Sequence, residues 1–261
     1  MTAAADLTLK RISVETEGAV VRVGLRNPPL NVIDIPMMEE LAQVLAEIET
    51  QASAAVIVIS GAGRAFSAGV DIAAHAPENV EAMLAKFHSV IRALVASRKV
   101  TIATVHGLCL GGGAELAMVC DLVYTSDVAE WGFPEIKLAC FPPVACTSLA
   151  ALVGQKRAAE MILTGRSVTG REAAEIGLAT RAVAEHHLSS ATEAAVSQLL
   201  HLSSSALAVA KKASYAWDSM HFDKGLARAE KVYFEDLMKT VDAHEGVAAF
   251  LEKRPPKWSG K

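Results

Sequence analysis

The chain has 261 residues, of which 52% are hydrophobic and 21% are charged, and its formal net charge is −4. This composition excludes a disordered chain, and the length suits one large domain or two small ones with a sizeable core. The negative net charge excludes a general electrostatic attraction to nucleic acid or to anionic lipid.

The sequence does not match the patterns for export, membrane insertion or metal binding. Its beginning, MTAAADLTLKRISVE, contains no apolar h-region, and no apolar run reaches the roughly 18 residues that a membrane span requires. The four cysteines form no CxxC pair, and the eight histidines show neither HxxxH nor HExxH spacing. We therefore predict a cytoplasmic protein with reduced thiols, no metal site and no membrane span.

The first predicted elements are a hairpin, a helix and a buried strand. LTLKRISVETEGAVVRVGL alternates apolar and polar residues on either side of Gly18, which predicts a β-hairpin. MMEELAQVLAEIET has helical periodicity. AAVIVISG, from Ala54 to Gly61, is a β-branched run typical of a strand that is covered on both faces.

The central part of the chain repeats this alternation of helix and buried strand. VTIATVHG, from Val100 to Gly107, and DLVYTS, after Asp121, are further β-branched runs. Strands that alternate with helices predict an α/β core. Ahead of the second strand, one helical face collects the apolar residues Val80, Met83, Leu84, Phe87, Ile91, Leu94 and Val95.

From about Ser190 onward, the chain predicts helices alone. Before that point, residues 169–172 have the spacing of a capping box at the start of a short helix. LSSSALAVAKKA and a long amphipathic stretch from residue 224 to residue 254 then predict a helical module. We expect two regions: a core with the active site over residues 1–189, and a helical oligomerisation region over residues 190–261.

Three glycine-containing turns follow the buried strands, with the sequences GRAFSAGVDI, GLCLGGGAE and WGFPEIKL. A lone glycine turn is weak evidence of a site, because glycines serve any tight connection. Two of these turns carry Glu115 and Glu135 among apolar residues, where carboxylates are uncommon. A glycine turn that opens a helix presents free N–H groups. Two such turns can direct two donors at one carbonyl oxygen and form an oxyanion hole.

AFSAGVD, HGLCLGGGAELAMVCDLVY and GFPEIKL, in this order, resemble the motifs of the crotonase (enoyl-CoA hydratase/isomerase) superfamily. LTGRSVTGREAAEIGLATRAV and FLEKRPPKW resemble the same superfamily, so the similarity spans nearly the whole chain. The resemblance implies an α/β fold with a spiral core of ββα units and a C-terminal helical region. It also implies homotrimers that usually pair into hexamers, and an acyl-CoA thioester substrate with no further cofactor.

The resemblance assigns roles to particular residues. The thioester carbonyl oxygen would accept hydrogen bonds from the backbone N–H groups of Val70 and Gly112. Glu115 and Glu135 match the two glutamates that handle water and proton in hydratases. The fold alone does not name the reaction. Two carboxylates favour hydration, because one can take a proton from water while the other protonates carbon.

Further positions match residues that contact the substrate in relatives. The backbone of residues 65–68 would bind the adenine of CoA, and Arg26 stands near the place of a common phosphate-binding lysine. The two C-terminal matches, a phenylalanine and a lysine, also fit a core side chain and a solvated one. The predicted binding residues are Ala65, Phe66, Ser67, Ala68, Asp71, Phe133, Pro143, Phe234 and Lys253.

The chain departs from straight-chain enoyl-CoA hydratases at two of these positions. After the second glutamate, that group usually reads PGAGGT, whereas this chain reads FPPVACT. Pro143 takes the place of a glycine whose N–H helps to hold the reacting water, and proline has no N–H. Phe133 stands where a glutamine is common. The departures predict a more apolar pocket in which water is held differently.

A subgroup with closely similar segments is the cyclohexa-1,5-diene-1-carbonyl-CoA hydratases of anaerobic aromatic degradation. The similarity lies in NVIDIPMMEEL, AHAPENVEAMLAKFHSVIR, PEIKLACFPPVAC and YFEDLMKTVDAHEGVAAFLEKR. In that reaction water adds at the β carbon of the ring, and the proton goes to the far end of the diene. A flat apolar ring suits Phe133, Phe141 and Val144. His75 and His88 fit either a pocket position or a structural one.

Two alternatives stay open from the sequence. A general 2-enoyl-CoA hydratase/isomerase of fatty-acid oxidation, acting on linear chains, would carry the same two glutamates. A non-catalytic or RNA-associated member of the superfamily would share the fold. Net acidity and the presence of both glutamates disfavour the second alternative.

Overall fold

A computed structural model describes residues 9–76 and 78–260, and of residues 215–221 it describes the helical backbone alone. The first residues of the predicted hairpin, Leu7 and Thr8, lie outside the described residues. The strands are β1 (Ile12–Glu17), β2 (Val20–Leu25), β3 (Val56–Gly61), β4 (Val100–Val105), β5 (Leu108–Leu110), β6 (Leu122–Ser126), β7 (Glu130–Gly132), β8 (Ser167–Thr169) and β9 (Arg181–Val183).

The α-helices alternate with these strands in the first two thirds of the chain and then follow one another. They are α1 (Ile35–Thr50), α2 (Val80–Ala96), α3 (Gly112–Met118), α4 (Pro143–Val153), α5 (Gln155–Thr164), α6 (Gly170–Glu175), α7 (Leu188–Leu200), α8 (Ser204–Glu235) and α9 (Val241–Leu251). Short 3₁₀ helices cover Ile72–His75, Pro134–Leu138, Glu185–His187 and Leu237–Lys239.

The main sheet has the strand order β1-β2-β3-β4-β6-β9. β1 and β2 form the predicted hairpin, since they pair antiparallel with Ile12 opposite Leu25 and Glu17 opposite Val20. The pairs β2-β3, β3-β4, β4-β6 and β6-β9 are all parallel. The predicted α/β core is confirmed. Because parallel strands end at one edge of a sheet, the glycine turns after β3 and after β4 meet there.

Both faces of this sheet are covered, as the β-branched runs predict. On one face, Ile57 and Ile59 pack with residues of α1 and α2 in the larger core cluster. On the other face, Val56, Val58 and Tyr124 pack with residues of α7. Alternate residues of β3 thus point in opposite directions. The predicted apolar face of the second helix is the buried side of α2.

A second, smaller sheet joins short strands in the order β5-β7-β8. β5 pairs with β7 in parallel, and β7 pairs with β8 antiparallel. The sequence does not predict these strands, because three residues are too few to show alternation. The sheet fixes the glycine turn before α3: the Gly111 N–H donates to the Gly132 carbonyl over 2.9 Å.

The C-terminal region is helical, as predicted, but its helices are divided differently. α8 continues past Lys224 to residue 235, and a break over residues 236–240 separates it from α9. Thr240 sets the new start, because its side chain accepts a hydrogen bond from the Ala243 N–H. The predicted helical stretch from residue 224 to residue 254 therefore consists of the end of α8 and all of α9. The expected division into two regions at residues 189 and 190 stays a prediction.

The break directs α9 against the 3₁₀ helices Ile72–His75 and Pro134–Leu138. Gly246 of α9 approaches the Leu138 carbonyl so closely that a Cβ atom would collide with its oxygen. α8 packs on α2 and α4. The C-terminal helices thus close over the segment that carries Glu135. None of the described helices combines the length and the apolar composition that a membrane span needs.

Candidate active site

The glycine turns, the 3₁₀ helix Pro134–Leu138, α2, α8 and α9 enclose a cavity of about 70 Å³. Glu115 and Glu135 both line it, together with Val70 and Gly112. The structure therefore brings the predicted acid/base pair and the predicted oxyanion-hole residues into one site. Much of the remaining wall is apolar and consists of Met83, Leu84, Phe87, Phe141, Pro142, Pro143 and Val247.

The two predicted N–H donors lie on turns that touch each other. Val70 forms a single parallel bridge with Ile33, and Gly112 is the first residue of α3. A Cβ atom at Gly112 would lie 2.6 Å from the Val70 side chain, so only glycine lets the turns approach this closely. Neither N–H donates to an acceptor among the described residues. Both N–H groups are therefore unused within the described part of the chain.

Glu115 lies on α3 and is almost fully buried. Its Oε1 atom accepts hydrogen bonds from the N–H groups of Val144 and Ala145, each over 2.9 Å. These N–H groups belong to the first turn of α4, where free donors favour a negative charge. Burial raises the pKa of Glu115 to about 7, and the two hydrogen bonds oppose that rise.

Glu135 follows Pro134 on the facing 3₁₀ helix. Its Oε2 atom is buried and has no hydrogen-bond partner in the part of the chain that the structure describes. Burial, together with the negative charge of Glu115, raises the pKa of Glu135 to about 8. A Cβ atom at Gly111 would lie 2.6 Å from Glu135 Oε1, so the glycine leaves room for the carboxylate. Of the two carboxyl groups, Glu135 keeps its proton to the higher pH.

Tyr233 of α8 also lines the cavity, although no sequence pattern points to this residue. It is 1% exposed, and its ring centroid lies 5.1 Å from that of Phe141. The sequence places Tyr233 in a helix but does not say which face of α8 meets α2 and α4. That orientation depends on packing between distant segments, so no local pattern could have identified this residue.

The predicted adenine-binding stretch passes beside the cavity. Ala68 lines it, whereas Ala65, Phe66 and Ser67 are buried and do not. The N–H groups of Phe66, Ser67 and Ala68 donate to the carbonyls of residues 106, 108 and 30. These three donors are therefore occupied within the protein. The CoA role of the stretch stays a prediction.

Several other predicted residues are not brought to the cavity. Phe133 is fully buried in the core, and Phe234 is half-buried with its ring centroid 6.0 Å from that of Tyr233. Lys253 and Arg26 are exposed. Their proposed substrate contacts stay predictions. Three residues were predicted to suit a flat apolar ring of the substrate. Of these, Phe141 lines the cavity, whereas Phe133 and Val144 are buried and do not line it.

Asp71 and the two histidines have separate places. Asp71 caps the 3₁₀ helix Ile72–His75, because its side chain accepts the Ala73 N–H. His75 lines the cavity, and its Nδ1 lies 3.1 Å from the Asp71 carbonyl oxygen. His88 does not line the cavity; it is buried, with Nδ1 2.7 Å from Glu230. No cluster of potential metal ligands occurs among the described side chains.

Comparisons with known proteins agree with this geometry. The family model for enoyl-CoA hydratase/isomerase matches residues 15–261. A probable enoyl-CoA hydratase of Mycobacterium tuberculosis is 35% identical over 256 residues, which cover 97% of this chain and 99% of that protein. The cyclohexa-1,5-dienecarbonyl-CoA hydratase of Thauera aromatica is 32% identical over 251 residues, which cover 96% of this chain and 97% of that protein.

The same likeness holds in three dimensions. An enoyl-CoA hydratase structure from Mycobacterium avium subsp. paratuberculosis superposes with a TM-score of 0.87 at 27% identity, covering 96% of this chain and 99% of that one. Sequence and fold therefore match over nearly the full length, the site retains both carboxylates, and the chain belongs to the enoyl-CoA hydratase/isomerase family, the crotonase superfamily, as a hydro-lyase.

Proposed function

We propose that the chain adds water to cyclohexa-1,5-diene-1-carbonyl-CoA and forms 6-hydroxycyclohex-1-ene-1-carbonyl-CoA. The observation that carries this proposal is the wall of the cavity: two buried carboxyl groups face a surface made by Phe87, Phe141, Pro142 and Pro143. Such a surface suits a flat apolar ring. The Thauera aromatica relative, whose name gives this reaction, supports the proposal.

In the proposed mechanism, the thioester carbonyl oxygen accepts hydrogen bonds from the N–H groups of Val70 and Gly112. Neither N–H donates to an acceptor in the described part of the chain, and the two lie on touching turns. Negative charge develops on this oxygen when water attacks the conjugated system, and preorganised donors stabilise that charge without reorganising. One such donor typically contributes about 10²–10³-fold in turnover.

Glu115 acts as the base that takes a proton from water. The N–H groups of Val144 and Ala145 hold one of its oxygens and favour its ionised form. The second oxygen is left for the water. A base works best with a pKa near the operating pH, and burial brings the pKa of Glu115 to about 7.

Glu135 acts as the acid that delivers a proton to the far carbon of the diene. Its Oε2 atom has no partner among the described residues, and a hydrogen bond from its own backbone N–H opposes the rise of its pKa without outweighing it. The pKa of about 8, raised by burial and by Glu115, keeps the group protonated at neutral pH. The environments of the two carboxyl groups thus separate their roles.

A general 2-enoyl-CoA hydratase acting on linear chains is the second candidate. The probable enoyl-CoA hydratase of Mycobacterium tuberculosis, at 35% identity, favours it as strongly as the Thauera aromatica relative favours the first. Both candidates use the same two glutamates and the same oxyanion hole. They differ in the shape of the acyl group and in the carbon that receives the proton.

The experiment that separates the candidates is a comparison of kcat/KM for cyclohexa-1,5-diene-1-carbonyl-CoA and for crotonyl-CoA. We expect the cyclic substrate to be favoured at least about tenfold, the range that pocket shape alone supports. A preference for crotonyl-CoA would replace the first candidate with the second. Turnover of neither substrate would contradict both.

The same proposal includes the protein's other partners. CoA is part of the substrate, and the two carboxyl groups supply the proton transfers, so no further cofactor is needed. An apolar groove of about 560 Å³ between α4 and α8, lined in part by Met118, Leu152 and Phe222, supports contact with further copies of the chain. We expect trimers or hexamers, and a monodisperse monomer in light scattering at micromolar concentration would contradict this.

A further inference from the structure

The hydroxyl of Tyr233 is a buried polar group whose role the two glutamates do not explain. The residue lines the cavity and is 1% exposed. Its ring is held on two sides, 5.1 Å from the Phe141 ring centroid and 6.0 Å from that of Phe234. The hydroxyl is therefore fixed by its ring, and its position does not depend on a hydrogen bond.

No hydrogen bond of ordinary geometry joins this hydroxyl to any residue that the structure describes. The Cys140 thiol lies beside it, but sulfur is a weak donor and a weak acceptor. An unsatisfied buried hydroxyl destabilises the folded state. A phenylalanine would fill the same space without that penalty, so the hydroxyl has a use in the cavity.

The proton of Glu135 goes to carbon, and the N–H groups of Val70 and Gly112 bind the thioester oxygen, so none of them serves the water. Three further residues on the cavity wall offer the water no donor either. Pro143 has no N–H. His75 places Nδ1 against the Asp71 carbonyl, which makes Nδ1 the protonated nitrogen and leaves Nε2 without a proton in the neutral ring. Burial lowers the pKa of His75, which keeps the ring neutral. Glu115, as the base, accepts.

We propose that the Tyr233 hydroxyl donates a hydrogen bond to the oxygen of the reacting water, supplying the donor that Pro143 lacks. The proposal rests on the hydratase function above. The water gives one proton to Glu115 while its oxygen forms the bond to the β carbon. Glu135 gives its proton to the carbon that becomes C–H. Tyr233 keeps its own proton throughout, and burial raises its pKa far enough for this.

The test compares two Tyr→Phe substitutions, each of which removes one phenolic hydroxyl. Tyr233→Phe removes the hydroxyl at the cavity, and Tyr124→Phe removes one in the core on the other side of the sheet. We expect Tyr233→Phe to lower kcat on the order of tenfold, since one hydrogen bond is lost, and Tyr124→Phe to leave kcat unchanged. KM and the affinity for a saturated acyl-CoA should be unchanged in Tyr233→Phe, because that ligand reacts with no water.

A second substitution supplies the missing donor at position 143 of the cavity wall. Pro143→Ala keeps the Cβ atom and adds an N–H at the first position of α4. In the Tyr233→Phe background, we expect Pro143→Ala to recover several-fold of the lost kcat. A side chain that merely packs in the core would not be rescued by a backbone N–H.

The outcomes separate this inference from the proposed function. If the wild type hydrates neither acyl-CoA, the proposed function fails. If the wild type is active and Tyr233→Phe has the same kcat, this inference fails while the function stands. An equal loss of saturated acyl-CoA binding and of turnover would also overturn it, because Tyr233 would then contact the acyl group. If Tyr233→Phe does not fold, site-specific 3-fluorotyrosine, a stronger donor with the same ring, takes its place, and unchanged turnover contradicts the inference.

Discussion

Two groups of buried polar side chains differ in how completely their hydrogen bonds are made. One group, the paired cluster, consists of Lys99, Thr101, Asp121 and Lys211 at the start of β4. Asp121 accepts from the Thr101 N–H over 2.7 Å, from the Thr101 hydroxyl over 2.9 Å and from Lys211 Nζ over 2.7 Å. Lys211 and Lys99 also donate to backbone carbonyls.

The other group, the unpaired cluster, consists of Glu135 and Tyr233 on the cavity wall. Glu135 Oε2 and the Tyr233 hydroxyl are buried and lack partners within the described residues. Both groups are out of water, so burial does not distinguish them. A satisfied buried network holds elements together, whereas an unsatisfied one lowers stability and is free to contact a ligand. Of these two clusters, the one with complete hydrogen bonds belongs to the scaffold, and the one with unmade hydrogen bonds lines the cavity.

The largest effect is expected when the proton-carrying groups are removed. Glutamine keeps the size of glutamate but transfers no proton, so Glu135→Gln and Glu115→Gln should each lower kcat by roughly 10²–10⁴-fold. Binding of a saturated acyl-CoA should stay within a few-fold of the wild type. Since the two residues act as a unit, the double variant should be little worse than either single one. Full turnover in either folded variant would remove that residue from the mechanism.

Substitutions in the paired cluster should lower the free energy of unfolding. Asp121→Ala leaves Lys211 as a buried charge without its carboxylate, and loss of one partner of a buried pair costs about 3–5 kcal/mol. The matched control is Asp127→Ala, which breaks the exposed pair with Arg171 and should cost at most about 1 kcal/mol. Denaturant unfolding measures both. Equal losses of unfolding free energy in the two variants would show that the buried pair contributes no more to stability than the exposed pair does.

A smaller effect is expected in the pH dependence of stability. The folded pKa of Glu135, about 8, lies above its ordinary value of 4.5. Between these values the folded state holds a proton that the unfolded state has lost, so the free energy of unfolding falls as pH rises through this window. Glu135→Gln removes the Glu135 contribution to this dependence, while the contribution of Glu115 remains. The variant should be more stable than the wild type at pH 8 by a few kcal/mol, since each pKa unit is about 1.4 kcal/mol. Parallel pH profiles for the two proteins would contradict the assigned shift.

The smallest effect is expected from a single hydroxyl of the paired cluster. Thr101→Val keeps the shape but removes the hydroxyl that donates to Asp121 and accepts its N–H. Asp121 keeps Lys211, so the loss should be about 1–2 kcal/mol in unfolding free energy, with kcat unchanged. A fall in kcat without a fall in stability would place this hydroxyl in the site.

The sequence predicted the scaffold because its patterns are local. β-branched runs gave the buried strands, the alternation around Gly18 gave the hairpin, and helical spacing gave α2. The N-cap of α6 was also correct, since the Thr169 side chain accepts the Glu172 N–H, while the Glu172 side chain pairs with Arg166. The sequence did not reveal β5, β7 and β8, because each of these strands has only three residues. It also did not reveal the break before α9.

The cavity was predicted in part. Glycine turns next to carboxylates indicated Glu115 and Glu135, and the structure places both on one wall. The sequence did not indicate that Val144 and Ala145 hold Glu115, because these contacts join residues about 30 positions apart. Nor did it indicate that Tyr233 lines the same cavity, because Tyr233 lies more than 100 positions from Glu115. Phe133, in turn, lies behind the wall, since an aromatic residue beside a glycine fits a core as well as a pocket.

The most direct test of the account follows the proton. The wild type converts cyclohexa-1,5-diene-1-carbonyl-CoA in heavy water, and NMR locates the deuterium in the product. The account predicts label at the far end of the former diene, delivered by Glu135, and its loss together with turnover in Glu135→Gln. Label at the carbon next to the thioester would contradict the account and assign the chain to ordinary enoyl-CoA hydration.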